Sequence, residues 1–174
     1  WCTGDVTPMH QYQTGWTLSF WFKAAAKPAA DKFLFLNSTH GAWDTGARGI
    51  ELQTNGNLEW ARYGASNVTI ATDGSQPLCD DDWHHLAFVY WWGDPKNANN
   101  IYLRVYYDGS LATETQVTMP SWGGQDPATR HLWSVGAANY FDDIYFANYP
   151  LSATIISDMW NGGTGLAADE ANII

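Results

Sequence analysis

The sequence has few basic residues for its length, and this scarcity excludes several kinds of partner. Of 174 residues only eight are Lys or Arg, against 18 Asp or Glu, so the net charge is −10 at pH 7. Nucleic acids and anionic membrane surfaces are recognised by clustered basic side chains. No apolar run reaches the roughly 18 residues that indicate a membrane-spanning helix. We therefore predict neither nucleic-acid binding nor membrane insertion.

The residue patterns of common catalytic sites are also missing. Gly-x-Ser-x-Gly, His-Glu-x-x-His and phosphate-loop motifs are absent. Glycoside hydrolysis usually needs two carboxylates flanking the scissile bond, and the adjacent residues Asp80, Asp81 and Asp82 cannot all point into one cleft. The chain has four glutamates, which do not cluster: Glu51, Glu59, Glu114 and Glu170. We expect a protein that is not an enzyme.

Cysteine is scarce, and the two residues present, Cys2 and Cys79, have no metal-type spacing. Two interpretations stay open: a disulfide between the first strand and the loop before the central strand, or two unrelated buried thiols. We favour the disulfide because the composition is otherwise typical of extracellular proteins. It would stabilise the fold by roughly 4 kcal/mol in the chain-entropy model. Asn37 and Asn67 begin glycosylation sequons, whose use depends on the source.

One run of apolar residues predicts the centre of the fold. Trp83 to Tyr90 is apolar at nearly every position and rich in aromatic and β-branched residues. A continuous run of this length, closed after Trp92 by Gly93-Asp94-Pro95, is typical of a strand buried on both faces. Asp80, Asp81 and Asp82 precede it as solvated residues that oppose aggregation. We interpret the run as the central strand of a two-sheet protein.

Alternating apolar residues and turn signals predict further strands along the chain. Asn55-Gly56 predicts a hairpin with a type I′ turn, and Asp108-Gly109 predicts a second hairpin. Ser152 is a predicted N-cap for a short helix through Trp160, stopped by glycines. Strands are predicted near residues 1–6, 16–23, 33–37, 50–53, 58–63, 68–71, 83–90, 101–107, 111–118, 132–135 and 141–147. This pattern predicts an all-β fold, an antiparallel two-sheet jelly-roll β-sandwich with one short C-terminal helix, as a single domain over residues 1–174.

Four stretches resemble the laminin G-like, concanavalin A-like jelly rolls, in the order in which that family places them. They are Thr17–Lys23 (the first core strand), Trp83–Tyr90 (the Trp-His-His-Val-Ala central strand), Val105–Gly109 (the Leu-Tyr-Val-Asp-Gly hairpin) and Asp142–Ser152 (the closing strand and turn). The resemblance implies two stacked antiparallel sheets. It also implies a non-catalytic role, as a carbohydrate-binding module, an adhesive domain or part of a virus or phage surface. In this family His84 and His85 are packing residues, and adjacent strand residues cannot share one metal ion.

Many members of the family bind calcium near the start of the closing strand. Asp142 shares the alternation of Ile144 and Phe146, so we expect its carboxylate to face the core, where it needs a partner or a cation. Asp143, Asp5 and Asp44 are the other carboxylates available for such a site, since calcium takes six to eight oxygen ligands. Hydrogen bonding of Asp142 to turn amides is the alternative.

Aromatic residues are abundant, with 11 Trp, 9 Tyr and 7 Phe, more than a packed interior needs. Trp21, Trp83 and Trp133 lie in apolar runs and are predicted to be core. Other indoles stand among polar residues in predicted loops, where they either stack on a sugar ring or close the ends of the sandwich. The candidate ligand-binding residues are Trp43, Asp44, Trp92, Asp94 and Trp122.

These observations favour a carbohydrate-binding, lectin-like module of a secreted or surface-exposed protein, stabilised by calcium if the acidic site forms. The predicted partner is a polysaccharide or glycan. The alternative is a structural or assembly domain of a virion, phage or extracellular fibre, whose exposed aromatic residues contact neighbouring domains or subunits.

Overall fold

The described residues fold into two antiparallel sheets and one short helix. The computed structural model describes residues 15–38, 48–62, 67–70, 77–92, 101–117, 132–135, 140–147 and 149–164. The elements in these ranges are β1 (Gly15–Lys23), β2 (Lys32–Ser38), β3 (Arg48–Leu52), β4 (Leu58–Arg62), β5 (Val68–Ile70), β6 (His84–Trp92), β7 (Ile101–Tyr107), β8 (Ser110–Val117), β9 (Leu132–Val135), β10 (Tyr140–Ala147) and α1 (Ala153–Trp160), which a 3-10 turn (Asn161–Gly163) follows. The predicted fold class is confirmed. The edge strand predicted at residues 1–6 lies outside the described residues.

Each sheet contains five strands, with β6 in the middle of one and β3 in the middle of the other. One sheet runs β10-β1-β6-β7-β8 and the other β5-β4-β3-β2-β9, and we call them the β6 sheet and the β3 sheet. Each belongs to a compact unit of its own, and α1 belongs to the unit of the β6 sheet. That residues 1–174 form a single domain stays a prediction. Within the described ranges, no helix has the length and apolar character needed to cross a membrane.

The predicted central strand is β6, and both of its faces are buried. It pairs along its length with β1 and β7, and every residue from His84 to Tyr90 is buried. On one face, which we call the Phe face, Phe20 of β1 stacks on Phe88 with ring centroids 6.1 Å apart. Aromatic pairs of this kind add about 0.5–1.5 kcal/mol beyond the area they bury. The prediction of a doubly buried strand is confirmed.

The opposite face of the β6 sheet, the helix face, is covered by α1. Ile156 and Met159 of the helix pack against buried residues of β6, β7 and β10, namely Ala87, Val89, Tyr106 and Ala147. Ser152 caps the helix by accepting a hydrogen bond from the Ile155 N–H. The Thr17 hydroxyl of β1 fixes the preceding segment, because it donates to the Tyr149 carbonyl at 3.0 Å and accepts from the Leu151 N–H at 2.9 Å. The predicted helix and its N-cap are confirmed.

The two predicted hairpins form, but one turn differs from its predicted type. Asp108 and Gly109 both have positive φ, as a type I′ turn requires. Asn55 does not have positive φ, and its side chain accepts a hydrogen bond from the Asn57 N–H. The Gly56 N–H bonds to the Gln53 carbonyl, and the Gln53 N–H bonds to the Asn57 carbonyl. This is a type I turn with a glycine bulge, so the type I′ prediction is wrong.

Gly109 allows a close contact between the β7–β8 turn and α1. A Cβ atom added to Gly109 (φ +72°) would lie 2.8 Å from Cε3 of Trp160, whereas one added to Gly163 (φ +90°) would meet nothing within 4 Å. We expect Gly163→Ala to lower the free energy of unfolding by about 1 kcal/mol, through the positive φ alone. Gly109→Ala should lower it by more, because the indole must also move. Equal losses in chemical denaturation would show that Trp160 does not restrain this turn.

Candidate functional site

An open depression of about 200 Å³ lies on the helix face of the β6 sheet, beyond the end of α1. The described residues that line it come from four separate parts of the chain: Trp21, Trp83, Asp142, Asp143, Gly163 and Thr164. Sites for drug-sized ligands measure about 300–1,000 Å³. This depression is therefore suited to one ring-sized group rather than to a large ligand.

Trp83 forms an exposed aromatic wall of the depression. It precedes the first residue of β6, and 43% of its surface is exposed, so the prediction that it belongs to the core is wrong. Its ring contacts Tyr140, itself 65% exposed, in an edge arrangement with centroids 6.5 Å apart. Trp21, by contrast, is buried as predicted and packs at 5.4 Å against the His85 ring. The depression thus has a buried indole and an exposed one.

A β-bulge in β10 places two carboxylates beside these indoles. Between the pairs Ser19↔Tyr145 and Trp21↔Asp142, β10 contains one residue more than β1. Asp143 lies in this interval with φ +45°, a conformation that Asp and Asn tolerate better than most side chains. The Asp142 carboxylate accepts the Asp143 N–H at 2.9 Å. This bond fixes one oxygen at the edge of the depression.

The same bulge overturns the predicted orientation of Asp142. The prediction assumed unbroken alternation, which would place Asp142 with Phe146 toward the core. Instead Phe141 and Phe146 both contact Phe-face residues of β1, since Phe141 packs on Phe20 and Phe146 on Trp16. An extra residue between them shifts the alternation. Asp142 and Asp143 are both exposed, so the prediction of an inward-facing carboxylate is wrong.

The turn after α1 supplies the remaining edge of the depression. Asn161 adopts the left-handed conformation and its N–H bonds to the Ser157 carbonyl, which ends the helix one residue before the predicted glycine stop. The Asn161 side-chain amide then donates to the Thr164 hydroxyl at 2.9 Å. The hydroxyl in turn donates to the Asn161 carbonyl. Thr164 is therefore held in place as a polar group at the edge.

Most residues proposed from the sequence as ligand contacts lie outside the described residues. These are Trp43, Asp44, Asp94 and Trp122, and also Asp5 of the predicted calcium site. Trp92 is the last residue of β6, but the position of its side chain is not described. Their roles stay predictions. Sequence reasoning did not select Trp83 or Tyr140, although the three aspartates before Trp83 already placed polar residues on one side of that indole.

The predicted calcium site is only partly represented among the described residues. Asp142 and Asp143 offer carboxylate oxygens beside each other, and the described part of the chain contains no group of three or more His, Cys, Asp or Glu arranged so that it could hold a metal ion. Calcium takes six to eight oxygen ligands. Two carboxylates do not complete such a shell, so these residues fit the ion only if other oxygens join them.

The predicted disulfide also stays a prediction. Cys79 is partly buried in the segment before β6, and Cys2 lies outside the described residues.

The aspartates that precede β6 do more than contact solvent, which is the role that the sequence had suggested for them. Asp80 bonds to the ring of His84 at 3.0 Å, and Asp81 forms an ion pair with Lys23 at 3.1 Å.

His84 lies in a cluster of acidic and phenolic groups at the start of β6. Its Nε2 is 3.0 Å from Asp80, and its Nδ1 is 3.0 Å from Asp108 and 2.7 Å from the Tyr107 hydroxyl. Burial alone would lower the pKa of His84, but the hydrogen bonds and charges of Asp108 and Asp80 outweigh it and raise that pKa. The cluster therefore favours a protonated imidazole with a carboxylate on each nitrogen.

His85, on the helix face, has the opposite character. Its Nε2 lies 2.7 Å from the Ser19 hydroxyl, whereas its buried Nδ1 has no hydrogen-bond partner among the described residues. Burial lowers the pKa of His85 from 6.5 to about 4, although the charge of Asp108 opposes this effect. The ring is therefore a neutral packing group under Trp21. The adjacent histidines lie in different environments, as their alternation predicts.

The two histidines predict opposite pH dependences of stability. The pKa of His85 is lowered on folding, so its contribution is present above about 6.5 and is lost as the pH falls toward 4, by about 3 kcal/mol at most. The pKa of His84 is raised, so its contribution is present below about 6.5 and is lost as the pH rises through the folded-state value.

Denaturation measured across this pH range separates the two effects. We expect His85→Phe to reduce the loss of stability that occurs as the pH falls. We expect His84→Gln to remove the loss of stability that occurs as the pH rises, and to leave the loss at acid pH in place. An unchanged acid decline in His85→Phe would mean that other groups cause it.

Comparisons with known proteins agree with the observed architecture. A family model described as the concanavalin A-like lectin/glucanases superfamily matches residues 3–157. No curated protein matches the chain.

Several solved structures have a similar fold. A receptor binding domain gives a TM-score of 0.60 at 13% identity, covering 88% of this chain and 36% of that one. A heptameric SAP-like pentraxin from Limulus polyphemus gives 0.55 at 14% identity, covering 88% and 72%. The binding domain of botulinum neurotoxin DC in complex with SialylT gives 0.58 at 12% identity, covering 86% and 35%. This chain spans about a third of the length of the two binding domains, and at these identities the likeness concerns the fold alone.

Proposed function

This chain belongs to the concanavalin A-like lectin/glucanases superfamily, and we propose that it is a non-catalytic carbohydrate-binding module of a secreted or surface-exposed protein. The observation that carries the proposal is the exposed Trp83 ring in a depression edged by two carboxylates and a hydroxyl. The apolar C–H face of a sugar ring stacks on an indole. Its hydroxyls donate hydrogen bonds to carboxylates such as those of Asp142 and Asp143. Structures of similar fold include binding domains.

The dimensions of the depression fit this role. About 200 Å³ accommodates one ring of a longer saccharide, and the openness of the site lets neighbouring rings extend across the surface. Tyr140, which contacts the edge of Trp83, extends the exposed aromatic surface beyond the first ring. Both aromatic side chains have a polar tip, which is typical of groups that bind at an aqueous surface.

Truncation of Trp83 tests the site directly. We expect Trp83→Ala to weaken oligosaccharide binding about tenfold or more, equal to about 1.4 kcal/mol or more, as for a central aromatic contact. Its thermal stability should change little, because the indole is half-exposed. Binding is measured by calorimetry or by tryptophan fluorescence against a panel of soluble oligosaccharides.

Two control variants separate binding from folding. Leu111→Ala removes another exposed apolar side chain from β8, at the other edge of the described sheet, and should leave affinity unchanged. Trp21→Ala should instead destabilise the fold by about 3–5 kcal/mol, because that indole is buried. If Trp83→Ala binds oligosaccharides as tightly as the unaltered protein does, the depression is not the binding site.

Calcium binding is a further proposal for this site, supported only by the two adjacent carboxylates. If the ion binds with a Kd a hundredfold below its concentration, it stabilises the fold by about 2.7 kcal/mol. We then expect a chelator to lower the melting temperature, and Asp142→Asn to remove this sensitivity. A melting temperature that ignores both calcium and chelator would argue against the ion.

The rival function, an assembly domain, has one observation in its favour. Among the described strands, β10 lies at the edge of its sheet, and it carries the exposed side chains of Tyr140 and Ile144. Exposed edges and apolar side chains are common points of protein association. Self-association that Ile144→Lys abolishes, in a protein that binds no saccharide, would favour this function over the module.

A further inference from the structure

We infer that the depression is selective for saccharides that carry a protonated amine, such as oligomers of non-acetylated amino sugars. The inference rests on the proposed carbohydrate-binding function and specifies its ligand. The observation that supports this inference is the set of charges around the exposed indole of Trp83. No basic side chain occurs among the described residues that line the depression, whereas two carboxylates do.

The two carboxylates line the same depression as the exposed ring of Trp83. Asp142 is directly opposite Trp21 in the β1–β10 ladder, and the bulge places Asp143 next to it in an exposed position. One Asp142 oxygen is engaged by the Asp143 N–H. A carboxylate can accept several further hydrogen bonds, and its bonds with an ammonium group are stronger than those with a neutral hydroxyl.

Three further features give the site negative potential. The C-terminal end of α1 carries the negative end of the helix dipole, and the last turn of the helix has no basic residue to offset it. Lys23, the cation that β1 carries on this face, is paired with Asp81 at 3.1 Å. The whole chain has a net charge of −10, which attracts cations over a longer range.

The exposed ring itself favours a cation. A positive charge near the face of Trp is attracted by the ring quadrupole, and Trp is the best of the aromatic side chains for this contact. A site made of carboxylates and indole therefore adds an electrostatic contribution for an aminated sugar. The same site repels sulfated, phosphorylated and carboxylated sugars. Neutral sugars would keep only stacking and hydrogen bonding.

The test compares two ligands that differ only in acetylation. Binding of a glucosamine oligosaccharide and of the N-acetylated oligosaccharide of equal length is measured by calorimetry at mildly acidic pH, where the free amine is protonated. We expect the amine form to bind about fivefold or more tightly, a ratio that follows from one or two exposed ion pairs. The preference should shrink as salt is added, because exposed charges are screened.

Two charge-removing variants identify the groups responsible. Asp142→Asn keeps an oxygen to accept the Asp143 N–H, and Asp143→Asn suits the positive φ, so both should fold normally. Each should reduce the preference for the amine, and the double variant should abolish it. Glu114→Gln removes the same charge from β8, at the other edge of the sheet, and should leave the preference intact.

The outcomes separate this inference from the function on which it rests. Equal binding of both oligosaccharides overturns the amine preference and leaves a carbohydrate-binding module. A preference that persists in the double variant assigns it to other groups and also overturns the inference. Failure of every amine-bearing, neutral and anionic saccharide to bind overturns both. If added calcium abolishes binding of the amine form, the carboxylates serve the ion and the inference is again wrong.

Discussion

The burial of β6 on both faces is the constraint on which the rest of the β6 sheet depends. A strand with apolar side chains on both sides needs cover on each of them. On the Phe face, the ring of Phe88 in β6 stacks on Phe20 of the neighbouring strand β1, which in turn contacts Phe141 of β10. On the helix face α1 provides the cover, with Ile156 and Met159 buried against Ala87 and Val89. The position of α1 also determines where the turn after the helix lies. Gly163 and Thr164 of that turn form one edge of the depression.

A second constraint, the bulge at Asp143, converts a regular sheet edge into a candidate site. Without the extra residue, Asp142 would alternate with Phe146 and face the Phe side, where an unpaired carboxylate is costly. With it, Phe141 reaches the rings of Phe20 and Phe22, and both carboxylates are exposed and line the depression together with Trp83. A single residue in a rare backbone conformation therefore satisfies packing and exposes two acidic groups.

The sequence predicted the fold well because strands and turns are local features. Alternation, the Asp108-Gly109 turn and the Ser152 cap depend on residues close together in the chain, and all three appear in the structure. The site was harder to predict, because its residues come from four distant segments. Two errors were local. Trp83 was assigned to the strand that it precedes, and Asp142 was oriented by an alternation that the bulge interrupts. A bulge has no simple sequence signature, so period-two reasoning fails there.

The pairing of β1 has a consequence for how the chain is made. β1 pairs with β6 on one side and with β10 on the other, and the latter contact joins Lys23 to Tyr140 and Thr17 to Ala147. Synthesis proceeds at about 5–20 residues per second, so β10 is made on the order of ten seconds after β1. Through that interval a strand with the sequence Trp-Thr-Leu-Ser-Phe-Trp-Phe has an open, apolar edge. The nascent chain thus carries an aggregation hazard that the finished sheet removes, and chaperone binding to this segment is the corresponding expectation in the cell.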